Sequence, residues 1–379
     1  MEFRRELRAW LGAHVTPEVV DAGRHPVTEE TLETLRAWNH QLADAGWAAP
    51  TWPVEHGGRA AGLDEQVAYY EEMAAARAPG PINVIGVANI APAIMAYGSA
   101  EQQARFLRPL LRGDEIWSQG MSEPDSGSDL ASLRTRAEPD GAGFVVNGQK
   151  TWNSLGHLAD WCQLYVRTDP DAPRHRGISC LLVDVRSPGV EVRPLRTMTG
   201  EVSFSELFFR DVRVPAAALL GPVHAGWDVA MTTLSHERAG VARLHLGLRN
   251  KLDALLAEPV AQAALGDRRR RQRVARVWSQ IACMRWTTER SLAQLRAGPN
   301  GRGSGQHMPS GTAGSLAKLA WSRADQALAE LAVDVLGLGA LSGEWAYNLG
   351  ASRSTSIAGG TTEINRNIVA EQGLGLPRG

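Results

Sequence analysis

The chain has 379 residues, with 40 Lys and Arg against 41 Asp and Glu, a net charge of −1, 44% hydrophobic residues and 21% charged ones. That length accommodates two to three domains with a large core, and near-neutral charge argues against a nucleic-acid binder, which needs a basic surplus on some face. Cys162, Cys180 and Cys283 are too few and too scattered for a disulfide framework or a zinc site, so no metal is expected.

The first segment, MEFRRELRAWLGAHV, is an amphipathic helix with charges throughout rather than a signal peptide. No apolar run approaches the roughly 18–20 residues of a membrane span, so a cytoplasmic location is expected. Helical spacing of apolar residues continues in EETLETLRAWNHQLADAGW, DEQVAYYEEMAAARA and EQQARFLRPLL, with Pro and Gly at the joins, and predicts an all-helical domain over 1–115. From 116 to 222 the segments shorten and alternate, as in GFVVNGQKTW, WCQLYVRT and GISCLLVDV. This block reads as an antiparallel barrel or sandwich, with Cys162 and Cys180 as small core residues and Asn147-Gly148 as a hairpin turn.

The helical period returns over 223–379. One long helix is expected across VAMTTLSHERAGVARLHLGLRNKLDALLAE, and two more follow across RVARVWSQIACMRWTTERSLAQLR and SLAKLAWSRADQALAELAVDVLG. A Gly/Ser/Pro-rich loop, AGPNGRGSGQHMPSGTAGS, separates the last two. The run Arg268–Arg271 reads as a solvated helix start. These helices suggest a four-helix bundle, and the fold class is α+β multidomain.

Two strings carry chemistry. The first is WSQGMSEPDSGSDLASLRTRAEPDGAGFVVNGQKTWNS, whose turn is rich in hydroxyls and glycines. Ser126, Ser128 and Asp129 suit capping of a short helical turn, small residues let a ligand approach the backbone, and Trp152 beside Asn153 and Ser154 suits stacking on a flat heterocycle. The bland alternatives are a hydroxyl-rich turn and a core Trp. The second is STSIAGGTTEINRNIVAEQGLGLPRG, a Gly359-Gly360-Thr361-Thr362 turn opening a helix with Ile364, Ile368 and Val369 as apolar positions. Its backbone N–H groups suit a phosphate, a carbonyl or a flavin edge, yet the turn holds no acid, base or nucleophile.

Both strings resemble signatures of the acyl-CoA dehydrogenase family, and the helix–sheet–helix order matches its architecture across essentially the whole chain. The resemblance implies FAD between the sheet domain and the C-terminal bundle, and 2,3-oxidation of an acyl thioester. It implies that Gln119, Met121 and Ser122 line the flavin ring, and that Gly127 and Ser128 lie beside flavin and thioester arm. Trp152 would flank the isoalloxazine, Ser154 would contact its pyrimidine end or N5, and Thr361 and Glu363 would reach the cofactor from the C-terminal turn. Implied partners are an acyl-CoA or acyl-carrier-protein thioester, an electron-transferring flavoprotein as acceptor, and either further copies of the chain or a paralogous subunit.

In many members a glutamate, the catalytic base, precedes the Gly-Thr pair; here Gly359 stands there. Some relatives carry the base on the helix opening the C-terminal domain, which here reads TLSHERAG. Ala230, Leu234, Glu237, Val241, Leu244 and Leu248 share one helical face, which places Glu237 within an apolar stripe where burial raises a carboxylate's pKa. Glu237 is the expected base; Arg238, about 100° around the helix, would serve thioester or cofactor, and His236 is a polar neighbour. The plain alternative for Glu237 is a structural salt bridge. The Gly359 N–H would stabilise charge on the thioester oxygen while the missing side chain admits a bulkier or branched acyl group. The chain departs from the FAD-clasp strings of homotetrameric relatives: GDRRRRQRVARVW lacks their Phe-Gly, and VDVLGLGALSG has Asp334 at the Gln place and Leu338 for a glycine. A subunit that completes the clasp, or one of Arg268–Arg273, would compensate. The alternative functions are a flavin oxidase or monooxygenase, like the nitroalkane oxidase branch, and a non-catalytic partner subunit of a heteromeric dehydrogenase.

Overall fold

The computed structural model describes residues 2–235, 241–297 and 310–377, and the chain divides into two compact units. One comprises residues 5–62 and 76–236, the other residues 1–4, 63–75 and 237–379.

The first unit carries helices and the sheet. Its strands are β1 (Trp117–Gly120), β2 (Arg136–Pro139), β3 (Gly143–Ser154), β4 (Trp161–Arg167), β5 (Ile178–Asp184), β6 (Val190–Arg196), β7 (Val202–Pro215) and β8 (Leu219–Leu220). They form one sheet in the order β6-β7-β3-β2-β4-β5-β8, with β1 alongside β4. The sheet is mainly antiparallel, but β1–β4 and the single-residue β2–β4 join are parallel. Inward residues Phe144, Val146, Cys162, Leu164, Val166, Leu181, Val183, Leu207 and Phe209 make its core, and both strand cysteines are buried as expected. Helix Ala100–Arg112 begins at a capping box, in which Ser99 Oγ accepts from Gln102 N at 3.2 Å and Gln102 Oε1 accepts from Ser99 N at 3.0 Å. Phe106 on that helix meets the Trp117 and Trp161 rings edge-on at 5.2 and 4.8 Å, fixing it against β1 and β4.

Asn147-Gly148 is not a turn. β3 runs straight through it, and the β2–β3 hairpin closes at Asp140–Gly143, where Asp140 N donates to Gly143 O at 2.9 Å. The Asn147 side chain instead fills a bulge in β7: Asn147 Nδ2 donates to Asp211 Oδ1 at 3.0 Å, and Asp211 N donates to Asn147 Oδ1 at 2.9 Å. Gly148 is needed for close approach, because a Cβ there would lie 2.5 Å from Thr135 Oγ1.

The second unit packs helices Val241–Ala257, Arg268–Ala297 and Ser310–Leu336 around Leu248, Leu252, Leu255, Ile281, Met284, Leu328 and Leu331, which recur at three- and four-residue steps. Arg268 opens its helix as expected. Ser310–Ser315, assigned by sequence to the Gly-rich loop, is already helical. The expected single helix across 229–258 is described as Gly226–Ser235 and Val241–Ala257; what joins them lies outside the described residues. Among the described residues no helix is long and apolar enough to cross a membrane.

Candidate active site

The candidate residues fall on both units. On the sheet unit, β1 and the end of β3 bring the predicted residues together. Asn153 Nδ2 donates to Gln119 O at 2.7 Å, Ser118 Oγ donates to Ser154 O at 2.9 Å, and Thr151 N donates to Ser122 O at 2.9 Å. Gln119 Nε2 donates to Gln163 Oε1 at 3.3 Å, which orients its amide.

Trp152 occupies a β-bulge. Lys150 pairs with Leu207 and Asn153 with Ser205, so β3 carries one extra residue across that step. The bulge turns Trp152 to φ +60°, a conformation that costs a bulky side chain on the order of 1–2 kcal/mol. It leaves the indole 61% exposed, with its neighbours Thr151 and Asn153 buried. Phe204 meets the indole edge-on at 5.8 Å and steadies it, and Asn153 Oδ1 is buried with no protein partner among the described residues. A large exposed aromatic in strained backbone, beside a buried acceptor left open, has the form of a stacking platform.

The loop 121–135 is held from beneath by an ion pair. Lys150 is fully buried, and its Nζ donates to Glu123 Oε1 at 2.8 Å and to Met121 O at 3.0 Å. Glu123 also accepts from Arg134 N and Thr135 N at 2.7 and 2.8 Å, joining both ends of the loop. Burial opposes ionisation of Glu123, but the Lys150 ammonium and the N–H donors outweigh it and hold the carboxyl below its ordinary range. Burial likewise pulls Lys150 below the usual lysine value, against the pull of Glu123. Ser126 closes the loop by mutual backbone bonds with Glu123 at 2.9 and 3.0 Å, and Asp129 stands at the N-cap of the short 3₁₀ turn Leu130–Ser132 without a side-chain cap bond; its carboxylate pairs with Arg174 instead. Gly127 and Ser128 are exposed at the loop's tip, and a Cβ on Gly127 would meet nothing within 4 Å. Neither Glu123 nor Lys150 was singled out by sequence. The alternation of β3 carried the signal, since Lys150 shares the inward parity of Phe144 and Val146.

On the helical unit, Gly359 and Gly360 adopt φ +65° and +88°, which glycine reaches without strain. Thr361 is the N-cap of helix Thr362–Ile368, its Oγ1 accepting from Ile364 N at 3.2 Å, and Glu363 is exposed in the first turn. The helix has only seven residues, so the turn itself, more than a helix dipole, is the chemical feature. Ile364, Ile368 and Val369 are half-buried; the buried residue is Asn365, whose Nδ2 donates to Gly360 O and Thr361 O at 2.8 and 3.0 Å. Among the described residues the N–H groups of Gly359 and Gly360 donate to no protein acceptor. Asp334 receives Arg273 Nη1 at 2.7 Å, with Arg270 Nε at 3.8 Å. His236, Glu237 and Arg238 lie outside the described residues; of the stripe that carries Glu237, Ala230 and Leu248 are buried.

Compared with known proteins, the chain matches the N-terminal, middle and C-terminal domains of acyl-CoA dehydrogenases over residues 1–114, 118–212 and 224–374. It is 40% identical over 388 residues to the acyl-CoA dehydrogenase IpdE1 of Mycobacterium tuberculosis, covering 100% of this chain and 98% of that protein. The solved Tcur3481-Tcur3483 steroid ACAD is similar with a TM-score of 0.85 and 29% identity, covering 100% of this chain and 97% of that one. The ChsE4-ChsE5 complex from Mycobacterium tuberculosis is similar with a TM-score of 0.77 and 32% identity, covering 100% and 97%.

Proposed function

The chain belongs to the acyl-CoA dehydrogenase family of oxidoreductases, and from that premise we propose that it removes the α and β hydrogens of a bulky, ring-bearing acyl-CoA. The observation that carries the reading is Trp152, presented by a bulge at φ +60° and 61% exposed, which fits a flat heterocycle. The residues that would hold FAD are Gln119, Met121, Ser122, Gly127, Ser128, Trp152 and Ser154, with Thr361 and Glu363 from the C-terminal turn. When bound, FAD supplies the acceptor for the β-hydrogen, which leaves as hydride.

The protein's part is proton chemistry and charge stabilisation. Glu237, which the sequence places on an apolar stripe, takes the α-proton on a carboxylate oxygen. The free N–H of Gly359 donates to the thioester oxygen as negative charge gathers there. Ser128 and Arg238 hold the thioester arm. The absent side chain at Gly359 leaves room for bulk, and the steroid ACAD among its structural relatives supports a ring-bearing acyl group.

Pairing of Asp334 with Arg273 and Arg270 supports a heteromer with a paralogous subunit, as two structural relatives are complexes of two different chains. That internal pair engages the cations that would otherwise meet a pyrophosphate. An electron-transferring flavoprotein as acceptor and a cytoplasmic setting complete the reading. The test is a visible spectrum of the chain purified alone and co-expressed with a paralogue, then anaerobic titration with straight-chain, branched and steroid acyl-CoAs. Bleaching by the bulky thioesters, slow to reverse in air, is expected. Rapid reoxidation in air would favour an oxidase, and no bleaching in either preparation would refute the reading.

A further inference from the structure

Among the described residues two side chains bind the carbonyls of the Gly359 turn: Asn365, which reaches Gly360 O and Thr361 O, and Lys318, which alone reaches Ala358 O. Lys318, half-buried on helix Ser310–Leu336, directs its Nζ to Thr355 O at 2.7 Å, Ala358 O at 2.6 Å and Gly360 O at 3.4 Å. An ammonium has three donors, and here three main-chain carbonyls of one turn converge on it. In a planar trans peptide the C=O and the following N–H point in opposite directions. Anchoring Ala358 O therefore fixes the direction of the Gly359 N–H, and anchoring Gly360 O fixes that of Thr361. Gly359 and Gly360 hold successive positive φ values of +65° and +88°, a backbone course that glycine takes without strain. The ammonium also polarises each anchored peptide, which makes its N–H a stronger donor.

We propose that Lys318 is a positioning residue: it locks the turn so that the Gly359 N–H is preorganised for developing oxyanion charge, and its positive charge strengthens that donor. This rests on the proposed role of Gly359. A lysine tied only for stability would leave the turn's chemistry unchanged when replaced without unfolding.

The test compares wild type with Lys318→Met, Lys318→Gln and Lys318→Arg. Amide hydrogen exchange over 355–361 is read on the purified protein without substrate, and kcat and KM are read with the best acyl-CoA. Lys318→Met should raise exchange in that segment while leaving other segments unchanged, and should lower kcat about 10²-fold with KM changed far less. Lys318→Arg, which keeps charge and donors, should recover part of kcat; Lys318→Gln, which keeps donors but no charge, should recover less. Unchanged exchange in both Lys318→Met and Lys318→Gln overturns the proposal, as does faster exchange with kcat intact. If Lys318→Met does not fold, Lys318→Gln decides by the same criteria. Absence of acyl-CoA turnover in wild type would refute the functional reading alone, and the exchange comparison would still decide whether Lys318 orders the turn.

Discussion

Replacing Lys150 by methionine should strip the loop 121–135 of its internal anchor. The variant leaves Glu123, only 8% exposed, ionised without its counter-charge. Breaking a buried pair from one side costs about 3–5 kcal/mol. Glu123 retains two backbone N–H donors at 2.7 and 2.8 Å, which places the expected cost near the lower end, about 3 kcal/mol. In a unit of this size each kcal/mol moves Tm by about 2–4 °C, so a fall of about 6–12 °C is expected in thermal unfolding followed by circular dichroism. The double variant Lys150→Met with Glu123→Gln should lose less than the sum of the single losses, because it removes both charges together. The pH dependence has a fixed sign. The carboxyl of Glu123 is depressed by folding, so its stabilisation is present above about pH 4 and is lost as pH falls through its folded value; Lys150→Met should flatten that acid limb. A Tm within about 1 °C of wild type, or additive losses in the double variant, would refute the reasoning.

Other outcomes follow from the same geometry. Burial pushes the Cys162 thiol up to about 12, against the pull of Lys150, and raises Cys180 as well; Cys283 is exposed. A thiol reagent should label Cys283 alone in the native protein and all three after denaturation, and the stabilisation from a neutral Cys162 should be full below about pH 8.5 and decline as pH rises toward its folded value. Trp152→Ala should weaken FAD retention about tenfold, measured by dialysis and absorbance, with little change in Tm because the indole is exposed. Gly359→Glu should narrow the substrate range, lowering kcat/KM for bulky thioesters at least about tenfold relative to short ones; equal loss for both would contradict the account of space at that position.

The helix–sheet–helix order and the buried strand cysteines were legible in the sequence, because each depends on local period, and the string running from β1 to β3 folds so that its two ends meet through Asn153–Gln119 and Thr151–Ser122 bonds. Asn147-Gly148 misled for a physical reason. Its turn propensity is real, but the Asn side chain gains more by pairing with the displaced backbone of β7, which no local window contains. Lys150 was visible in principle, as a charge at inward parity among Phe144 and Val146, and its meaning depended on Glu123, 27 residues earlier. Lys318 was not visible, because its carbonyl partners lie 37, 40 and 42 residues along the chain and any residue type can offer a carbonyl. The stripe carrying Glu237 is a sequence argument still, supported by burial of Ala230 and Leu248 at its ends.

The base assignment is the claim on which the mechanism turns, and stopped-flow reduction of the FAD-loaded protein by a steroid acyl-CoA, under anaerobic conditions, reads it directly. Glu237→Gln should bind the thioester with nearly unchanged affinity and slow bleaching about 10²–10⁴-fold. Bleaching by Glu237→Gln at the wild-type rate would contradict the account.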